Sequence, residues 1–221
     1  MELDMNESRN VNYRCPYCGR EFEVEIYDSI TADEDADLRD RCVSGDLFRV
    51  SCPHCKREFM LQYPLVYIDK AHRFVLFLCE EDRIPGVVKN LASTLAKAGY
   101  KMRRTPTLIE FAEKIQIFED GVDDRLVELA KYDSLIEFID NKKGRAEDVT
   151  SIEYQRTENG VMKINIRTGD KGMLFLIPLV MVEEEMNASP ERYALESDFP
   201  VVNAAWIIDL FQPEPDRNTL N

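Results

Sequence analysis

The chain has 221 residues, 44% of them hydrophobic and 32% charged, the balance expected of a globular protein able to bury one large core or two small ones. Its formal net charge of -14 and pI near 4.7 oppose nonspecific binding to nucleic acid or anionic lipid, both polyanions. The longest apolar runs, 74–79 and 173–182, are too short or too broken by Pro178 to cross a bilayer, and residues 1–10 lack the pattern of a secretory signal. A cytoplasmic location is therefore expected, where thiols stay reduced and bind metal rather than pair as disulfides.

Two stretches nearly copy each other: Cys15-Pro16-Tyr17-Cys18-Gly19-Arg20-Glu21-Phe22 and Cys52-Pro53-His54-Cys55-Lys56-Arg57-Glu58-Phe59. After the first, Phe22, Val24 and Ile26 alternate with Glu21, Glu23 and Glu25, the period of a half-buried strand, and Phe59, Leu61 and Tyr63 repeat that phase. The repeat predicts two hairpin-like arms clamped by one ion, a zinc ribbon over residues 11–82. Between the arms, Thr31 or Asp33 is expected to cap a short helix that Gly45 closes, with Leu38 and Cys42 packing inward. Leu65–Ile68 and Phe74–Cys79 then read as a hairpin that continues the ribbon sheet, and the unalternating Phe74–Leu78 predicts a central strand covered on both faces.

A helical part is expected over 83–141. Val88, Leu91, Ala92 and Leu95 form an apolar stripe from Pro85 to Ala98, ended by Gly99, and Tyr100–Arg104 returns as a strand. A helix starting at Thr105 or Thr107, the latter able to form a capping box with Glu110, is expected to bury Leu108, Phe111 and Ile115, and Asp123 to cap another burying Leu126, Leu129, Ala130, Ile136 and Ile139. Polar residues 141–148 mark the internal boundary. Beyond it, 149–155, 161–167 and 173–177 predict a three-stranded antiparallel meander, followed by a helix from Pro178 through Met186 and a short one capped by Asn203 that buries Trp206, Ile207 and Leu210. The expected fold class is α+β, with a zinc-binding domain at 11–141, a meander and helices at 149–212, and tails at 1–10 and 213–221.

Chemistry concentrates in the four thiols Cys15, Cys18, Cys52 and Cys55, whose paired turns have the spacing of a structural zinc site with one Zn2+ per chain. A redox dithiol would need its Cys-x-x-Cys at a helix N-terminus, whereas both pairs precede strands. Arg14, Arg20, Arg49, Lys56 and Arg57 flank the turns and serve either as compensation for a negative thiolate cluster or as a nucleic-acid patch. His54 reads as a surface side chain and His72 as a lone turn residue without a paired carboxylate. Cys42 and Cys79 read as core thiols. Asp120, Asp123, Asp124 and Glu128 read as a capping cluster, with a hard-cation or acidic catalytic site as the alternative. Glu183, Glu184 and Glu185 read as a solvated helix face.

The two Cys-Pro-x-Cys motifs, with Asp28-Ser29-Ile30-Thr31-Ala32-Asp33, Ser44-Gly45-Asp46-Leu47-Phe48 and the segment Ile115 to Arg125, resemble the CpXC family over roughly Asn12 to Asn141. That family occurs mainly in bacteria and has no assigned activity, so the resemblance implies metal binding and nothing catalytic. Lys56 departs from the glycine common after such a cysteine pair, and a positive φ there would strain the second turn slightly. The leading expectation is a non-enzymatic, zinc-stapled protein whose surface binds another protein, with no membrane partner and no catalytic residues. The alternatives are a nucleic-acid-associated zinc ribbon and an enzyme with an acidic cleft between the two parts.

Overall fold

The computed structural model describes residues 6–80, 84, 86–141 and 143–212. Its chain forms two compact units, Met1–Gly121 with Ser197–Val201, and Val122–Glu196 with Val202–Asn221.

The first unit begins with β1 (Glu7–Arg14) and β2 (Glu21–Thr31), an antiparallel pair joined by the first cysteine turn. Helix α1 (Ala36–Ser44) follows; then β3 (Arg49–Ser51) and β4 (Glu58–Met60) flank the second cysteine turn as a two-stranded sheet of their own. β5 (Leu65–Asp69), β6 (Phe74–Leu78), α2 (Gly86–Lys97), β7 (Lys101–Thr105) and α3 (Leu108–Glu119) complete it. The main sheet runs β1-β2-β5-β6-β7, with β2–β5 and β6–β7 parallel. The β5–β6 hairpin therefore continues the ribbon sheet only through the first arm, by pairing of β5 with β2, and the second arm stands outside that sheet. β1 also begins at Glu7, inside the stretch expected to be a tail.

The centre of the sheet explains why β6 shows no alternation. All five of its residues are buried, Val75 and Phe77 against Ala92 and Leu95 of α2 and Phe199, with Phe74 against Phe118 of α3. On the α3 side Phe74 stacks on Tyr67, Tyr67 meets Phe111 edge-on and Phe111 meets Phe48 edge-on, at 5.9, 5.8 and 6.0 Å between centroids, favourable geometries for aromatic quadrupoles. The parallel β6–β7 pair needs a crossover, which α2 supplies. Of the α2 stripe, Ala92 and Leu95 are buried, while the side chains of Val88 and Leu91, and Pro85 itself, lie outside the described residues.

Caps fall where local chemistry allows. The cap of α1 is Asp35, whose Oδ1 accepts from the Leu38 N–H at 3.1 Å, and neither Thr31 nor Asp33 serves there. Asp33 instead accepts the N–H groups of Lys70 and Ala71 at 2.7 and 3.2 Å, fixing the β5–β6 turn. Gly45 closes α1 in the left-handed region at φ 79°, and Leu38 and Cys42 are buried as expected. Thr107 caps α3 through the Glu110 N–H at 3.2 Å.

The second unit holds α4 (Asp124–Asp140), β8 (Ser151–Glu158), β9 (Val161–Thr168), β10 (Lys171–Pro178), α5 (Leu179–Ala188) and α6 (Ala204–Phe211). The three strands form the expected antiparallel meander in the order β10-β9-β8. Asn159 and Gly160 turn β8 into β9 with φ of 51° and 73°, the two positive values that a tight twisted hairpin requires. α4 packs against β8, β9, α5 and α6 and buries Leu126, Val127, Leu129, Ala130 and Phe138. Ile136 is exposed and Ile139 only partly covered, contrary to expectation, because Ser134 and Phe138 occupy the inward positions. Asn203 caps α6 through the Trp206 N–H, and Ile207 is buried while Trp206 and Leu210 are partly so. The expected tail at 213–221 lies outside the described residues.

Candidate metal centre

Each cysteine turn is built by the same pair of backbone bonds. In the first, the Cys15 N–H donates to the Arg20 carbonyl at 3.0 Å and the Gly19 N–H to the Cys15 carbonyl at 2.9 Å; in the second, Cys52 donates to Arg57 at 3.0 Å and Lys56 to Cys52 at 2.9 Å. The fifth residue of each turn must adopt positive φ, 72° at Gly19 and 62° at Lys56, so the strain expected at Lys56 is present in its backbone. Antiparallel strands on either side hold each loop, and His54 ties the second turn to the first strand pair, its Nε2 donating to the Glu21 carbonyl at 3.2 Å. His54 is therefore committed to the backbone.

The turns bring Cys15, Cys18, Cys52 and Cys55 together with all their sulfurs within 4.8 Å of one another, the one cluster of three or more potential ligands among the described residues. Cys15 Sγ lies 3.7 Å from Cys55 Sγ, and Cys18 Sγ 3.7 Å from Cys52 Sγ. Sulfurs arranged tetrahedrally at about 2.3 Å from one ion are separated by about 3.8 Å, so the donor set fits a four-coordinate thiolate-binding metal. All six cysteines of the chain are free thiols. Burial opposes ionisation of Cys52, but the N–H groups of Cys55 and His54 and the thiols of Cys15 and Cys55 act against it and bring its pKa down to about 6. The Arg20 N–H favours the Cys18 thiolate, yet desolvation and the three neighbouring sulfurs push its pKa up to about 11. Four adjacent thiolates repel one another, and a bound cation is the natural relief of that repulsion.

The surrounding cations divide. Arg49 pairs with Asp46 at 3.2 Å and Glu58 at 3.9 Å, and Arg14 donates through Nε to the Gly19 carbonyl at 3.0 Å. Arg57 lies over the Tyr17 ring, 5.1 Å from its centroid. Tyr17 meets Phe59, which stacks on Tyr13, which in turn meets Phe22 edge-on, at 6.2, 5.5 and 6.4 Å between centroids. This aromatic surface beside the thiols went unread in the sequence, although Phe22 and Phe59 stand at equal offsets from the two turns.

The other candidates are committed elsewhere. Asp123 caps α4, accepting the Arg125 N–H at 3.0 Å and the Arg125 guanidinium at 2.9 and 3.0 Å; burial opposes its charge, but these bonds outweigh that and hold its pKa below the usual carboxylate range. Glu128 is buried with Lys131, 3.4 Å away, and Asp124 is wholly buried. Glu183, Glu184 and Glu185 are exposed on α5. Cys42 and Cys79 are buried, and burial pushes Cys42 up to about 12. His72 does have a paired carboxylate, contrary to expectation. The buried Asp69 accepts its N–H at 2.7 Å and pairs with Nδ1 at 2.9 Å, a turn lock that spans three residues and so escapes a reading based on nearest neighbours. Close by, Arg39 holds Glu119 through two of its nitrogens.

No helix among the described residues is long and apolar enough to cross a membrane. No curated protein and no solved structure matches the chain. The family model described as CpXC protein matches residues 13–131, which takes in both cysteine turns and more than half of the sequence. On that match, and with the four motif cysteines gathered at one point, the chain belongs to the CpXC family.

Proposed function

We propose that the chain is a zinc-stapled protein-interaction module and not an enzyme, with one structural Zn2+ held by Cys15, Cys18, Cys52 and Cys55. The observation that carries this reading is the closed sulfur set: four thiolates at tetrahedral spacing occupy every position of a four-coordinate ion and leave none for water or substrate. Soft thiolates select zinc over hard cations, and the ion would supply folding energy rather than Lewis-acid chemistry. A reducing, cytoplasmic setting follows from the need to keep the thiols unpaired.

The face offered to a partner is the aromatic surface beside the clip, where Tyr17 is 52% exposed and Arg57 covers its ring. A single-stranded nucleic acid is the second reading, since bases stack on such rings. Charge favours the protein partner. The cations Arg14, Arg20, Lys56 and Arg57 are balanced by Glu21, Glu58 and the net negative charge of a divalent ion on four thiolates, leaving little to attract phosphates. The test titrates the zinc-loaded protein with a labelled single-stranded oligonucleotide at low salt, and measures partner capture by wild type and by Tyr17→Ala. The proposal predicts no oligonucleotide binding and capture lost in the variant at unchanged zinc content. Salt-sensitive oligonucleotide binding, or capture indifferent to Tyr17, would overturn it.

A further inference from the structure

We propose that the free edge of β10 is a homodimer interface, at which a second copy of this chain pairs its own β10 antiparallel to extend the meander into a six-stranded sheet. The inference does not depend on the metal clip. It starts from the hydrogen-bond parity of the hairpin. β9 and β10 are joined by the two-residue turn Gly169-Asp170, so Thr168 and Lys171 exchange hydrogen bonds and the odd-numbered residues of β10 face β9. The Leu179 N–H continues that parity by donating to the Gly160 carbonyl at 2.8 Å. The backbone groups of Gly172, Leu174 and Leu176 therefore point away from the sheet, and no strand among the described residues pairs with them. Pro178 falls in the same register, so its missing N–H removes a donor only from the free edge.

The other edges of the two larger sheets carry charges or irregularities along their length, whereas on β10 the devices that discourage pairing, Lys171 and Pro178, stand only at its two ends. β8 has a bulge between Tyr154 and Arg156 and bears Glu153, Arg156 and Glu158. β1 has a register shift at Glu7 and bears Arg9 and Arg14. β7 bears Lys101, Arg103 and Arg104, and the Arg104 N–H is taken by the Pro200 carbonyl at 3.2 Å. β10 is regular and carries one charge, Lys171, at its start. The residues with outward backbone groups also expose apolar side chains, Leu174 by 51% and Leu176 by 59%.

The occupant must itself be an unpaired strand with exposed apolar side chains at alternate positions, and β10 of a second copy meets both requirements. Twofold pairing centred on Leu174 sets Leu176 beside Gly172 of the second copy and brings the leucines of the two chains onto one face. It also sets the two Lys171 side chains six residue steps apart, about 20 Å at the rise of an antiparallel strand, so no like charges meet at the seam. The net charge of -14 per chain opposes association at low salt, and screening should therefore strengthen the dimer, opposite in sign to binding of a polyanion.

Sedimentation equilibrium of the zinc-loaded full chain, over a concentration series at low and high salt, tests this. A reversible species of twice the 25.7 kDa chain mass is expected, favoured by salt, and Leu174→Lys/Leu176→Lys should be monomeric with unchanged zinc content and circular dichroism. Hydrogen exchange of the wild type supplies a reading independent of the variant: the Leu174 and Leu176 amides should slow as concentration rises. A wild type monomeric at every concentration and salt, a dimer that survives the double substitution, or edge amides indifferent to concentration would each overturn the proposal.

Discussion

At Lys56 a side chain occupies a backbone position that favours glycine. Its φ of 62° matches the 72° of Gly19 at the same place in the other turn, and the hydrogen bonds around the two are equivalent, so the second turn forms in spite of the residue there. Lys56→Gly should therefore stabilise the zinc-loaded protein by about 1 kcal/mol, read as a higher urea midpoint at unchanged slope. Asp123 supplies a test with pH. Its folded pKa is depressed below the ordinary value of about 3.9, so its pairing with Arg125 stabilises the fold above that pH and the contribution is lost as pH falls through the folded pKa. Arg125→Ala should accordingly shift the acid unfolding transition to higher pH while leaving zinc content unchanged. An unshifted transition would show that the pair adds nothing.

Single elements show which sequence signals carried information and which misled. Thr107, Asp123 and Asn203 were legible as caps because each immediately precedes an apolar helical stripe. The cap of α1 was misplaced because Thr31, Asp33 and Asp35 are all capable acceptors, and only the tertiary position of the β5–β6 turn assigns Asp33 to Lys70 and Ala71 and leaves Asp35 to the helix. Asp35→Ala should cost about 1 kcal/mol of stability, and Asp33→Ala a comparable amount through a different element. Hydrogen exchange separates them, with α1 amides quickened by the first and β5–β6 turn amides by the second. The gathering of the four thiols was legible residue by residue, since spacing and repetition place four sulfurs without any tertiary information. The neighbouring rings of Tyr13 and Tyr17 were not, because their contact with Phe59 depends on how the two arms face each other.

For the whole molecule, the polarity of 141–148 suggested a boundary after α4, whereas the compact units part at Gly121 and Val122. Linker composition records where the chain meets water, and α4 is assigned by what it packs on, the C-terminal sheet and helices. Metal removal should follow these units. Structural zinc sites contribute roughly 10 to 16 kcal/mol of apparent binding energy in isolated peptides, so chelation should abolish amide protection in β1–β4 while the meander of β8–β10 keeps most of its own. Uniform loss along the chain would show a single cooperative unit. The central claim, that four motif cysteines hold one structural ion, is tested most directly by elemental analysis of protein purified without chelator. The account predicts one zinc per chain in the wild type and none in Cys52→Ser. Metal near zero in the wild type, or content unchanged by the substitution, would contradict it.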